Sequence, residues 1–168
     1  MQSLKALVAE IPDFPKPGIL FRDINPLLRL RFSETVSAMD ELFDQATWDR
    51  VDAVAGVESR GFILAAALAD RRRKGLVPIR KKGKLPPPIV DVAYDLEYGS
   101  GILEMQAGQG RLLLIDDVLA TGGTLRASAS LCRQAGYSVS GVGVLIDLGL
   151  APGFRCEEHV PRSVIRYG

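Results

Sequence analysis

The chain has 168 residues, enough for one domain with a real core and too few for two comfortable ones. Apolar residues make up 47% and charged residues 24%, a balance that excludes a disordered chain and fits a soluble globular protein. With 21 basic and 20 acidic side chains the net charge is +1, so no global field draws the protein to nucleic acid or to an anionic membrane, and any phosphate binding must be local.

The start, MQSLKALVAE, lacks a basic region followed by a long apolar core, and no apolar run approaches the length that spans a bilayer, so a cytoplasmic location is expected. Leu4, Leu7, Val8 and Ile11 recur at helical spacing until Pro12 stops them, which predicts a short helix leading into the rigid segment IPDFPKPGILFRDINPLL. A second helix is predicted from Ser33 as N-cap, with Val36, Met39, Leu42 and Phe43 on its buried side, and Asp49 to Asp52 then punctuates. Strand and helix alternate from there. Ala53 to Val57 reads as a buried strand, Phe62 to Arg73 as a helix that Gly75 can close, and Leu76 to Arg80 as a returning strand. A second unit has Arg111 to Ile115 as strand, Thr124 to Ala135 as helix with Gly136 just past its end, and Val139 to Ile146 as strand. Such alternation implies an α/β fold, a parallel sheet with helices on both faces and ligands beyond the carboxyl ends of its strands.

Between the two units, RKKGKLPPPIVDVAYDLEYGSGILEMQAGQ reads as a long hairpin flap rather than core. The basic run Arg71 to Lys74 falls at a helix C-terminus, where cations suit the exposed carbonyls, and reads as a solvated face. Cys132 within a helix and Cys156 in a tail suggest no disulfide framework, and with the single His159 they make no zinc site. There is no internal repeat.

The strongest local signal is LLLIDDVLATGGT, residues 112 to 124. A buried strand delivers Asp116 and Asp117 to its carboxyl end, and the chain turns through Ala120, Thr121, Gly122, Gly123 and Thr124 into a helix. Glycines expose backbone N–H groups in a tight turn, the helix N-terminus favours an anion and the threonines add hydroxyls, so the loop suits a terminal phosphate. The carboxylates repel phosphate but accept hydrogen bonds from sugar hydroxyls, and the whole describes a ribose 5-phosphate cradle. An ordinary βα turn with an acidic cap is the plainer alternative. In GVESRGF, residues 56 to 62, the turn after a buried strand lets Ser59, Arg60 and nearby N–H groups face a pyrophosphate, against the alternative of a surface turn with a solvated arginine. Arg80, Lys81 and Lys84 supply further charge for the same pocket, while Lys82 reads as solvated.

An apolar strand, two acidic residues and a Thr-Gly-Gly-Thr loop closely resemble the signature of the type I phosphoribosyltransferases. The resemblance extends to their adenine-specific branch through IPDFPKPGILFRDINPLL, GVESRGF, VPIRKKGKLP and YDLEYG, which together span most of residues 11 to 124. It implies a single domain over 1–168 with that family's fold: a twisted, mostly parallel sheet flanked by helices, an N-terminal base-binding hood within 1–32 and a flexible flap over 81–109. It further implies a pentosyl transfer in purine salvage, from phosphoribosyl pyrophosphate to adenine, giving AMP and pyrophosphate, with magnesium carried by the substrate and no metal held directly by the chain. By resemblance Glu97 handles the purine proton, Tyr98 helps cover the site and Arg60 joins them in catalysis. Glu58, Ser59, Arg60, Arg80, Lys81 and Lys84 hold pyrophosphate, the Glu58–Ser59 bond is cis, and Leu20, Phe21 and Arg22 receive adenine. Packing of Leu20 and Phe21 beside a surface Arg22 is the alternative that their residue types favour by themselves. A homodimer is expected, with no nucleic acid or membrane partner. The tail from Leu148 matches the family only loosely. Two other functions stay open: transfer to a 6-oxopurine, and a non-catalytic nucleotide sensor on the same fold.

Overall fold

Pro12 ends the first apolar pattern as the last residue of a strand, not of a helix. In the computed structural model, which describes residues 3–96 and 99–168, a single 3-10 turn over Leu4–Leu7 buries none of its residues. So short a segment has little to hold it helical without a buried face. The chain instead extends into β1 (Ala9–Pro12), which pairs antiparallel with β2 (Leu20–Asp23), setting Ile11 opposite Phe21 and Glu10 opposite Arg22. The loop between them is tied by the Gly18 N–H, which donates to the Asp13 carboxylate at 2.7 Å. Next come α1 (Asn25–Leu30), with Pro26 in its first turn and Leu27 buried, and α2 (Phe32–Asp40). Ser33 is therefore inside α2 and does not cap it. Val36 and Met39 are buried as expected, but Leu42 and Phe43 lie past the helix end.

The chain divides into two compact units, Met1–Ala38 and Met39–Gly168. The second opens with α3 (Gln45–Arg50), whose first turn is capped by the Asp44 carboxylate accepting the Thr47 N–H at 2.8 Å. Asp49 and Arg50 are thus helical, and the break falls only at Val51 and Asp52. Then follow β3 (Ala53–Val57), α4 (Arg60–Arg72), β4 (Gly75–Lys81), β5 (Ile89–Leu96), β6 (Gly99–Gln106), β7 (Gly110–Leu119), α5 (Gly123–Gln134), β8 (Tyr137–Asp147) and β9 (Arg162–Arg166). They form one seven-stranded sheet in the order β5-β6-β4-β3-β7-β8-β9. The five strands from β4 to β9 pair in parallel; β6 joins β4, and β5 joins β6, antiparallel.

The predicted β-α-β units are present, β3 with the bounds expected and β4, β7 and β8 longer than expected. Residues 112–117 of β7 are all buried, as in a parallel strand covered on both faces. α4 closes on Arg73, which takes the left-handed conformation at φ 53°, while Gly75 opens β4. Gly136 does follow α5, at φ 99°. The flap is a hairpin as predicted, but its returning strand belongs to the main sheet, and Leu103 and Met105 are wholly buried. Nor is the basic run at the end of α4 merely solvated. Arg72 donates to both oxygens of Asp40 at 2.5 and 2.8 Å and lies 5.0 Å from the centre of the buried Trp48 ring. The tail adds β9 beside β8 and buries Cys156, as α5 buries Cys132; both thiols are free. No described helix is long and apolar enough to cross a membrane.

Candidate active site

The strand order fixes where a ligand fits. From β3 the chain crosses through α4 to β4 on one side, and from β7 through α5 to β8 on the other. Right-handed crossovers in opposite directions put α4 and α5 on opposite faces of the sheet. A crevice therefore opens beyond the carboxyl ends of β3 and β7, where the strand order reverses. Those two ends carry Glu58 to Arg60 and Asp116 to Thr124.

Within the crevice Arg60, in the first turn of α4, sets its Nε 2.6 Å from an Asp117 oxygen. Asp116 is buried and accepts the Asp117 N–H at 2.8 Å. Burial, with the Asp117 charge added, pushes its carboxyl well above the usual carboxylate range. The start of α4 approaches β7 closely here: a Cβ at Gly61 would lie 3.0 Å from the nearer Asp116 oxygen and 3.2 Å from the Ile115 carbonyl. Glu58 is the second anionic centre. It accepts the Lys81 N–H at 3.0 Å, Arg80 Nε at 3.3 Å and the Lys84 ammonium. Burial alone would raise its pKa, but the Lys84 and Lys81 hydrogen bonds and the charges of Lys84 and Arg80 outweigh it and hold the carboxyl low. The Glu58–Ser59 peptide is cis, as the resemblance implied.

Ala120, Thr121 and Gly122 form the turn that enters α5 at Gly123 and Thr124. Gly122 has φ 89°, and a Cβ there would overlap the Phe154 ring. A Cβ at Gly123 would lie 3.0 Å from the Asp95 carbonyl, so the flap strand β5 borders the loop directly. Arg126, one turn into α5, donates its N–H to the Gly122 carbonyl at 3.0 Å and holds its guanidinium 5.2 Å from the Phe154 ring centre.

The second unit thus gathers the expected ribose-phosphate and pyrophosphate residues at one end of the sheet. Leu20, Phe21 and Arg22 belong to the first unit, on β2. There Leu20 is exposed, Phe21 meets Phe14 edge-on at 5.1 Å and Arg22 pairs with Glu10. Glu97 and Tyr98 lie outside the described residues. No group of three His, Cys, Asp or Glu side chains among the described residues is placed to hold a metal. Sequence reasoning missed Phe154, Arg126, Tyr94 and Glu104. The one available signal was for Glu104, a lone carboxylate between Leu103 and Met105 in an apolar strand. Tyr94 stands across from Gly101, whose missing side chain makes room for its ring. Burial, and then the charge of Asp116, raise the phenol's pKa.

The Phosphoribosyl transferase domain model matches residues 32–150. An adenine phosphoribosyltransferase of Bdellovibrio bacteriovorus is 48% identical over 165 residues, covering 98% of this chain and 99% of its own. In three dimensions the chain is similar to an adenine phosphoribosyltransferase of Rhodothermus marinus, with TM-score 0.84, 39% identity, and 97% and 96% of the two chains covered. It is also similar to the Saccharomyces cerevisiae enzyme complexed with an imino-altritol bisphosphate and adenine, with TM-score 0.87, 30% identity and 96% of each chain covered. A switch-point crevice with paired carboxylates and a Thr-Gly-Gly-Thr turn, in a chain this close to those enzymes along nearly its full length, belongs to the adenine phosphoribosyltransferase family.

Proposed function

We propose that the chain transfers the phosphoribosyl group of phosphoribosyl pyrophosphate to adenine, releasing AMP and pyrophosphate. The observation that carries this reading is the crevice between β3 and β7, with Asp116 and Asp117 at one lip and the turn from Ala120 to Thr124 beside them. The 5-phosphate takes the N–H groups and hydroxyls of that turn and the positive end of α5. Asp117 and Asp116 accept the sugar hydroxyls, with Asp116 accepting the Asp117 N–H as well and so fixing the pair's backbone. Ser59, Arg60, Arg80, Lys81 and Lys84 receive the pyrophosphate. Arg60, Arg80 and Lys84 rest against the Asp117 and Glu58 carboxylates, which keep them gathered before substrate enters.

The donor set fits magnesium carried by the substrate, since no three ligating side chains among the described residues are grouped to cage an ion and Asp117 is already paired with Arg60. When bound, the ion neutralises charge on the leaving group. No protein nucleophile is needed: the purine nitrogen attacks the anomeric carbon as the bond to pyrophosphate breaks. The resemblance supports Glu97 taking the purine proton, Tyr98 covering the site, and Leu20, Phe21 and Arg22 receiving the base. It also supports one working domain over 1–168, as a homodimer in the cytoplasm.

Donors and acceptors set for an amino group at the purine 6-position are left unpaired against an oxo group, a difference that binding penalises strongly. The test is turnover with labelled phosphoribosyl pyrophosphate against adenine, hypoxanthine, guanine and xanthine. Adenine is expected to win by a wide margin in kcat/KM. Comparable values for hypoxanthine would overturn the adenine assignment and leave the transferase one, and no turnover with any base would leave a nucleotide sensor.

A further inference from the structure

Glu104 is fully buried on β6, with β4 and β3 between it and the strand that carries Asp116 and Asp117, and none of the roles above uses it. A buried carboxylate is costly unless it is fully hydrogen-bonded. Here three successive backbone N–H groups satisfy it: Gly83 donates to one oxygen at 2.9 Å, and Lys84 and Leu85 to the other at 2.6 and 2.7 Å. Successive amides converging on one point form an anion-binding nest, and this nest is filled by the chain's own carboxylate. Gly83 permits the shape by taking φ 85°. The three bonds, led by that from Gly83, hold the Glu104 carboxyl below the usual range, so it is an anion over the working range of pH.

The middle residue of the nest is Lys84, whose ammonium points back to Glu58 at the mouth of the crevice. The side chain is long, but its backbone origin is pinned.

We propose that Glu104 is a positioning residue for pyrophosphate: it folds the turn from Gly83 to Leu85 into one shape and so presents Lys84 to the leaving group. The proposal rests on the assignment of Lys84 to pyrophosphate. Glutamine keeps the size of Glu104 but turns one acceptor into a donor facing an N–H, so the nest cannot close around it.

In Glu104→Gln the KM for phosphoribosyl pyrophosphate and the directly measured Kd for magnesium pyrophosphate are expected to rise on the order of tenfold, with the KM for adenine unchanged. Because the effect runs through Lys84, it is expected to vanish in a Lys84→Ala background, a coupling that a double-mutant cycle measures. Gly83→Ala strains the same turn from its exposed side without touching the carboxylate, and should give the same split if Glu104→Gln fails to fold.

Three results decide against the idea. If Lys84→Ala weakens pyrophosphate and neither Glu104→Gln nor Gly83→Ala does, the positioning role falls and the Lys84 assignment stands. Should Lys84→Ala leave pyrophosphate binding unchanged, the assignment falls and takes the proposal with it. A Glu104→Gln loss that persists in full without Lys84, or that raises both KM values equally, makes Glu104 a structural residue only.

Discussion

Gly122 meets two demands that no other residue meets together. Its φ of 89° lies in the left-handed region, and the space where a Cβ would stand is taken by Phe154. A side chain in that region costs roughly 1–2 kcal/mol before any clash. Gly122→Ala should therefore populate the phosphate-binding shape less. Affinity for AMP and phosphoribosyl pyrophosphate is expected to drop about tenfold or more. Calorimetry with AMP checks it, and unchanged affinity would remove the turn from the phosphate site. The glycine and the threonines around it were legible in the sequence because tight turn, anion and hydroxyl leave their mark on adjacent residues. Phe154 was not. It reaches Gly122 from a segment some thirty residues on, and nothing in the local order of either encodes that approach.

At the scale of elements, the amino ends of β3 and β7 are held by a buckle. Asp52 accepts the Arg111 N–H at 2.7 Å and two guanidinium N–H groups at 3.1 Å each. The Arg111 side-chain bonds, then its backbone bond, lower the Asp52 pKa from 3.8 to about 2. A carboxyl with a depressed folded-state pKa contributes stability that is whole above the unfolded value and is lost as pH falls toward the folded one. The buckle should thus add to stability above about pH 4 and fade toward about pH 2. Asp52→Asn is expected to lower the denaturant midpoint at about pH 6 and to bring it level with the parent near about pH 2. An equal loss at both would mean that the carboxylate's charge is irrelevant. The strands themselves were legible as apolar runs, yet β7 runs from Gly110 to Leu119 where hydropathy marked only Arg111 to Ile115. Parallel pairing with β8 carries the ladder on through Asp116 and Val118, and hydropathy does not register pairing. The same limit hid β1, whose Ile11 happened to sit at helical spacing from Leu7 and Val8 but faces Phe21 across a hairpin. In β6 a buried Glu104 broke the apolar run that would have marked core.

On the scale of the whole molecule, the alternation of strand and helix was enough to place the crevice, because right-handed crossovers leave few sheets to choose from. The order of strands outside β3, β4, β7 and β8 was not legible, since a hairpin folding back onto β4 and a tail strand pairing with β8 depend on contacts far apart in the chain. The tail ahead of that strand brings Cys156 into the same core cluster as Cys132. Burial raises the two thiols to about 11 and about 12, with each further raised by neighbouring negative charge. It is the thiolate that attacks a labelling reagent, so neither cysteine should react while its surroundings stay shut. The enzyme thereby carries two built-in clocks, read by mass as label accumulates without any engineered probe. If the tail opens by itself, Cys156 is labelled ahead of Cys132 at low denaturant; if tail and sheet open as one cooperative body, the two acquire label at a single rate.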